Sequence, residues 1–358
     1  MLLMRKLTSR LLITATAVLA LPSQAALYVT VVQGLGGQAQ YESEFKESRE
    51  KIETASHSIT DADKITVFAG DKGTRAAVLK HFAELAKKMK AEDRAAIYLI
   101  GHGTFDGDAY KFNIAGPDLT AQDLKTALEK LPGQNHVLIS TGSASGAMLE
   151  SITGKANART NRSAAEVPGS TAPNQSGVNA TKIADGKYLL ISGTRNGNER
   201  NATNFGRYFA DALASKDADV NKNNSISLQE AFDFADKRVS AYFQDEGKLA
   251  TEHAQLRGEG AAQINLARLN AAEQKAELAN AGGKLAELLK RRQQLEAEIE
   301  DLQLRRSQMA AADYSAKFQQ LLLQSAELGE QIDSAQKQEV APKPPIELPP
   351  IPEGKRVP

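Results

Sequence analysis

Five short apolar runs, separated by segments with helical periodicity, constrain the fold of this 358-residue chain most strongly. The runs are rich in β-branched residues, as expected for strands that are buried on both faces of a sheet. The segments between them, such as Arg75–Met89 and Ala121–Leu131, repeat apolar residues every three or four positions. This alternation predicts an α/β fold, a doubly wound, mostly parallel sheet with helices on both faces, over residues 26–256. The predicted strands are Leu27–Val32, Ile65–Phe68, Ala96–Ile100, Val137–Ile139 and Tyr188–Ile191.

The first 25 residues have the pattern of a signal peptide. A basic start with Arg5, Lys6 and Arg10 precedes the apolar run Leu11–Leu21, and Ser23-Gln24-Ala25 supplies the small residues of a cleavage site. The apolar run is shorter than the about 20 residues that a membrane-spanning helix needs. We therefore predict export to a bacterial periplasm or beyond, with a retained anchor as the alternative. No later segment is apolar enough to predict a transmembrane helix in the mature chain.

The composition excludes several kinds of chemistry. With 44 basic and 44 acidic residues the formal net charge is zero. This balance argues against a nucleic-acid partner, because such a partner favours a basic surface. The chain has no cysteine, so disulfides, thiolate metal sites and thiol nucleophiles are excluded.

Two glycine-flanked motifs follow neighbouring predicted strands. Gly101-His102-Gly103 comes directly after one strand, and Ser143-Ala144-Ser145-Gly146 follows the next. In an open α/β sheet the carboxyl ends of adjacent strands meet at one edge, so the two motifs are expected to lie together. A histidine at one strand end and a nucleophile at the other is the arrangement of a hydrolase.

The order and spacing of these motifs resemble the caspase-fold peptidases, most closely bacterial members of the legumain-like (C13-type) family. Further stretches that resemble this group are Gly34–Gly37, Phe112-Asn113, Gly116–Asp118, Thr194–Arg200 and Thr251–His253. The resemblance implies that His102 is the general acid/base and that the Gly103 N–H helps to stabilise an oxyanion. It also implies that the loop carrying Arg195, Glu199 and Arg200 forms part of the substrate pocket.

Enzymes of this family carry a catalytic cysteine where this chain has Ser143. A thiol ionises near neutral pH, with an ordinary pKa of about 8.5. A serine hydroxyl instead needs an aligned base that a third group orients, and the nearest acids along the chain are Asp106 and Asp108. We therefore predict a catalytically impaired domain that binds a peptide or protein through the cleft between His102 and Ser143 and through the helical hairpin at residues 257–338. The alternatives are an active hydrolase, with Ser143 as nucleophile and His102 as base, and a coiled-coil scaffold.

A twelve-residue stretch, Asp219–Glu230, matches the pattern of an EF-hand loop. Asn224 replaces the usual glycine at position 6, and asparagine tolerates the left-handed conformation that this position requires. The pattern predicts a weak, structural Ca²⁺ site, with a loop that keeps the geometry without an ion as the alternative. No other cofactor is predicted. The candidate ligands are Asp219, Asn221, Asn223, Ser225 and Glu230.

Residues 154–186 are rich in small and polar side chains and predict a mobile loop. The loop follows the Ser143 motif, broadly where caspase-like enzymes have a linker that is cut on activation, and a tolerated surface insertion is the alternative.

Residues 257–338 predict two antiparallel helices, a coiled-coil hairpin for a partner or for self-association. Arg292 and Arg306 interrupt its apolar seam, and Asp313 is a candidate N-cap for the second helix. Residues 339–358 contain seven prolines and predict an extended tail.

Overall fold

The computed structural model describes residues 25–153 and 187–340. The predicted signal peptide up to residue 24, the predicted loop 154–186 and the tail from residue 341 lie outside the described residues. Residues 339 and 340, which the sequence assigned to the tail, continue the last helix.

The described residues form eleven strands and nine α-helices. The strands are β1 Leu27–Gln33, β2 Ile65–Phe68, β3 Arg94–Ile100, β4 Gly103–Phe105, β5 Tyr110–Phe112, β6 Leu119–Thr120, β7 His136–Ser140, β8 Tyr188–Ser192, β9 Ser225–Ser227, β10 Gln255–Arg257 and β11 Asn265–Arg268. The helices are α1 Ala39–Ser56, α2 Arg75–Lys88, α3 Ala121–Glu129, α4 Ser145–Thr153, α5 Phe205–Ala212, α6 Leu228–Asp245, α7 Ala271–Asn280, α8 Gly283–Leu304 and α9 Ala311–Val340.

The central sheet has six strands in the order β10-β8-β7-β3-β1-β2. All neighbours are parallel except β10, which pairs antiparallel with β8. The chain runs from β1 outward to β2 and then returns to place β3 on the other side of β1. The strand order therefore reverses between β1 and β3, and ligand crevices in such sheets open at this point, beyond the carboxyl ends of the strands.

Alternate residues of the strands build a separate core on each face of the sheet. In β3, Ala95, Ile97 and Leu99 pack in the core that includes residues of α2, α3 and α4. The intervening Ala96, Tyr98 and Ile100 pack in the core that includes residues of α1, α5 and α6. Helices therefore cover both faces, and the predicted doubly wound, mostly parallel fold is confirmed.

The α/β unit continues past the predicted boundary at residue 256. Strand β11 pairs with β9, and Leu266 and Ala267 are buried in the core on the α1 side. Helix α7 then precedes the two predicted hairpin helices, so the region assigned to a simple hairpin contains a strand and a third helix as well. A strand of four residues is too short for its periodicity to be read from the sequence.

Helices α8 and α9 pack together through an apolar seam, and each arginine that interrupts the seam has a specific partner. Arg292 pairs with Glu277 of α7 at 2.7 Å. The guanidinium of Arg306 lies 5.4 Å from the centre of the Tyr314 ring, a cation–π contact. Because α9 begins at Ala311, Asp313 lies in its first turn and is not its N-cap. The buried seam residues are Leu285, Leu289, Leu295, Leu328, Ile332 and Ala335.

The hairpin docks at the amino-terminal edge of the central sheet. Glu300 of α8 lies 3.3 Å from Arg94, the first residue of β3, and Glu296 lies 2.9 Å from Arg268. The carboxyl ends of the parallel strands lie at the opposite edge. Within the described residues no helix is long and apolar enough to span a membrane.

Candidate functional site

The carboxyl ends of β3 and β7 come together through glycine. A Cβ added at Gly142 would collide with the carbonyl oxygen of Gly101 and would lie 3.3 Å from the nitrogen of Gly103. A Cβ at Gly103 would lie 2.6 Å from the carbonyl oxygen of Ser143. Only residues without a side chain allow this approach, which explains why glycine flanks His102 and precedes Ser143. The structure therefore brings the His102 and Ser143 turns side by side.

The imidazole of His102 lies against helix α1. Its ring centre is 4.8 Å from that of Tyr41 and 5.0 Å from that of Phe45, and both contacts are edge-on. Burial lowers the pKa of His102, while the Gly36 backbone and the charges of Glu42 and Glu44 oppose this shift. The ring is therefore held neutral at neutral pH, which is the form that accepts a proton.

A small crevice opens beside His102, between α1 and the residues that precede and begin α5. Its volume is about 20 Å³, close to that of one water-sized probe. Thr141 and Gly101 contribute from the strand ends, and Thr203 and Arg207 contribute from the α5 side. Ser143 does not line this crevice.

Ser143 is 4% exposed and lies in a turn with unusual backbone geometry. The next residue, Ala144, is fully buried and has a φ of 55°, a left-handed conformation that costs about 1–2 kcal/mol for a residue with a side chain. The Ala144 N–H donates to the carbonyl of Glu199 at 2.8 Å, and this bond holds the turn in place. Within the described residues no hydrogen bond joins the Ser143 hydroxyl to His102. The two backbone turns meet, but the two side chains form no dyad.

The two acids that follow His102 do not orient its ring. Asp106 accepts hydrogen bonds from the N–H groups of Asp108 and Ala109 and from Lys111 at 3.0 Å, all within the turn between β4 and β5. These bonds lower the pKa of Asp106. Asp108 is exposed and makes no hydrogen bond to His102 in the part of the chain that the structure describes. Neither acid is therefore placed to orient His102 in the part of the chain that the structure describes.

The loop after β8 is tied to the Ser143 turn and to a distant histidine. Thr194 accepts a hydrogen bond from the Gly146 N–H at 3.0 Å. Glu199 contacts the His253 ring at 2.6 Å and also accepts the backbone N–H groups of Arg195 and His253. The Glu199 carboxylate is therefore engaged inside the protein, whereas the side chains of Arg195 and Arg200 are exposed.

Glu252, within the stretch Thr251–His253, has a structural role near the site that the sequence did not predict. It is 3% exposed and accepts the N–H groups of Asn204 and Phe205 at the start of α5. Burial raises the pKa of Glu252, and these hydrogen bonds oppose the shift. The carboxylate caps α5, so it supports one wall of the His102 crevice.

Side-chain oxygens of the loop Asp219–Glu230 accept hydrogen bonds from backbone N–H groups of the same loop. The Asp219 carboxylate accepts the N–H groups of Asn223 and Asn224, and Asn223 accepts that of Ser225. Asn221 accepts the N–H of Asn223, and Glu230 accepts that of Asn221 at 3.3 Å. Asn224 has a φ of 60°, the conformation expected of the residue that replaces glycine.

The donor set of this loop fits calcium. All five candidate ligands carry oxygen, the element that Ca²⁺ prefers, but only Asp219 and Glu230 supply carboxylates. No group of three or more His, Cys, Asp or Glu residues that could hold a metal ion occurs within the described residues.

The domain is thus a doubly wound α/β sheet with a histidine at one strand end and a hydroxyl at the next. The model of the Peptidase C13 family matches residues 44–259, and the chain belongs to this family. The predicted legumain-like resemblance is thereby confirmed. Among solved structures the chain is similar to caspase-1 from Spodoptera frugiperda, with 9% identity and a TM-score of 0.38, over 68% of this chain and 91% of that chain. No curated protein matches it.

Proposed function

We propose that this protein is an exported, catalytically impaired C13-type peptidase homologue that binds a peptide or protein segment beside His102 and Ser143. The observation that carries the proposal is the state of Ser143. Its hydroxyl stands where the resemblance expects a cysteine, and within the described residues it has no hydrogen-bonded base. A serine hydroxyl without a base is a poor nucleophile near neutral pH.

The exposed charges of the loop after β8 support a ligand with an acidic group. Arg195 and Arg200 are exposed, and the only hydrogen bond of the Arg200 side chain in the described residues is a long one to the Gly197 carbonyl at 3.5 Å. Glu199 is paired with His253, so it does not offset these two cations toward solvent. A guanidinium binds a carboxylate with two parallel hydrogen bonds, which gives direction as well as affinity.

A Ca²⁺ ion in the loop Asp219–Glu230 is a second part of the proposal. The inward-facing oxygens and the left-handed Asn224 favour this ion, and two carboxylates set a weak affinity of about 10⁻⁴–10⁻³ M. Strand β9 lies within the loop and α6 begins inside it, so the ion would stabilise the packing of these elements. Its role would be structural.

The decisive experiment is digestion of a peptide library, read by mass spectrometry, with calcium and with a chelator. The proteins are the mature chain, His102→Ala, Ser143→Ala and Ser143→Cys. Ser151→Ala, a hydroxyl on α4 that bonds only its own helix, is the matched control. We expect no cleavage by the mature chain, and a gain of cleavage in Ser143→Cys would show that the cleft is otherwise intact.

Cleavage by the mature chain that both His102→Ala and Ser143→Ala abolish would establish an active serine hydrolase and overturn the proposal. Peptide binding is measured in parallel by pull-down from the same library. We expect acidic peptides to be retained, with retention reduced by Arg195→Ala and unchanged by the Ser151 control. If no peptide is retained, and if association of the protein depends only on residues 257–338, the coiled-coil scaffold is favoured instead.

A further inference from the structure

A buried carboxylate lies at the amino end of β3, at the edge of the sheet opposite His102. Asp93 is 4% exposed, and its two oxygens accept the backbone N–H groups of Ala26 and Lys90, each at 2.8 Å. Within the described residues Asp93 forms no ion pair. A buried carboxylate with only neutral donors keeps an uncompensated charge, which is unfavourable.

Two cations of this region are engaged elsewhere. Arg94, the next residue, directs its guanidinium to Glu300 of α8 at 3.3 Å. Lys64 pairs with Asp61 at 2.5 Å. The contacts of Asp93 within the described residues are therefore hydrogen bonds from backbone N–H groups and not ion pairs.

Ala26, which contacts Asp93, would become the first residue when the signal peptide is cleaved. Ser23-Gln24-Ala25 places the scissile bond between Ala25 and Ala26. Hydrolysis by the peptidase of the export machinery adds one water across this bond, leaving a carboxylate on Ala25 and an ammonium on Ala26. The Ala26 nitrogen would then change from a neutral N–H into a cation.

The position of Ala26 is already fixed by neighbouring contacts. Its carbonyl accepts the N–H of Arg94 at 2.8 Å, and β1 begins at the next residue. Ala25 and Ala26 also line a cavity of about 710 Å³ between the α/β unit and helices α7 and α8. The cavity leaves room for water to solvate the ammonium protons that do not face Asp93.

We propose that removal of the signal peptide creates a salt bridge between the new α-ammonium of Ala26 and buried Asp93, and that this pair stabilises the packing of β1 against β3. The inference rests on the export that we propose above, but not on what the cleft binds. Strand β1 lies between β2 and β3 and pairs with both. Processing therefore stabilises the centre of the sheet in the exported protein.

The test uses the full mature chain in three N-terminal forms. One begins at Ala26, one retains Ala25 as an extra residue, and one begins at Ala26 but is acetylated on its α-nitrogen. Acetylation keeps an N–H donor and removes only the charge. Each form is made with Asp93 and with Asp93→Asn, and thermal unfolding is followed at pH 6.5, where an α-amino group is largely protonated.

With Asp93 present, the free Ala26 form is expected to melt about 5 °C above both other forms, the value for one charge-assisted pair in a domain of this size. With Asp93→Asn the difference should vanish. Glu252→Gln removes another buried carboxylate that accepts backbone N–H groups, and it should lower all three melting temperatures equally. The comparison of N-terminal forms needs no substitution, so it remains informative if Asp93→Asn fails to fold.

Equal melting temperatures of the three Asp93 forms would overturn the inference, as would a difference that persists in Asp93→Asn. Mass spectrometry of the exported protein should give Ala26 as the first residue. A different first residue would contradict the salt bridge without contradicting export. Because these measurements do not involve the cleft, failure to bind peptides would contradict the proposed function alone.

Discussion

His136 should make the stability of this protein depend on pH in a defined window. It is the first residue of β7, is fully buried, and accepts the Ala95 N–H on its Nδ1 at 2.9 Å. Burial, together with the charges of Lys187 and Arg94, lowers the pKa of His136 to about 4. The Pro132 carbonyl offsets only part of this shift, because Nε2 completes no hydrogen bond within the described residues.

The direction of the effect follows from the two pKa values. In the unfolded chain His136 titrates near its ordinary pKa of about 6.5, so the unfolded state binds a proton first as the pH falls. The stability from neutral His136 is therefore complete above about pH 6.5 and is lost as the pH falls toward 4. At 1.36 kcal/mol per pH unit, the free energy of unfolding should drop by about 2 kcal/mol between pH 7 and pH 5.

Urea unfolding at pH 7, 6 and 5 measures this drop, and His136→Asn is the matched variant. Asparagine offers an oxygen to the Ala95 N–H but does not titrate, so the variant should lose the His136 part of the pH dependence. The shifted groups His81, His102 and Glu252 titrate in both proteins and cancel in the difference. The reasoning is refuted if the parent and the variant lose the same free energy between pH 7 and pH 5.

Four further predictions follow from the structure. Gly142→Ala places a methyl group against a backbone carbonyl and should lower stability by about 1–3 kcal/mol in thermal unfolding. Gly329→Ala, in open space on α9, should instead raise stability by about 0.5–1 kcal/mol. Asp219→Asn removes one of two carboxylates, so calorimetric titration should give a Ca²⁺ affinity at least about tenfold weaker. Glu300→Gln should increase proteolysis of the hairpin about fivefold, for a loss of about 1 kcal/mol, whereas Glu298→Gln, which breaks an exposed pair, should not.

Much of the fold could be predicted from the sequence, because buried parallel strands have a strong local pattern. The run Ile65–Phe68 gave β2 with its bounds, and Tyr188–Ile191 gave β8 to within one residue. Strand β11 could not be predicted in this way. This short strand pairs with β9, about forty positions earlier, and no local signal records that contact.

The candidate site was predictable in its backbone and not in its side chains. Glycines around His102 and before Ser143 indicated two strand ends in contact, as the structure has them. The direction of the His102 ring depends on Tyr41 and Phe45 of α1, which follow a different strand. The contact between Glu199 and His253 likewise joins residues that are 54 positions apart. Contacts between residues so far apart in the chain cannot be predicted from the spacing of motifs or from composition.

The docking of the helices at the amino-terminal edge has a consequence for what the protein can hold at once. Strand β3 runs from Arg94, beside Glu300, to Ile100, just before His102, and seven residues at about 3.3 Å each separate the two by roughly 20 Å. A molecule at either end therefore leaves the other end open. The sheet separates the two ends, so a ligand held beside His102 would not compete for space with a molecule held by the hairpin.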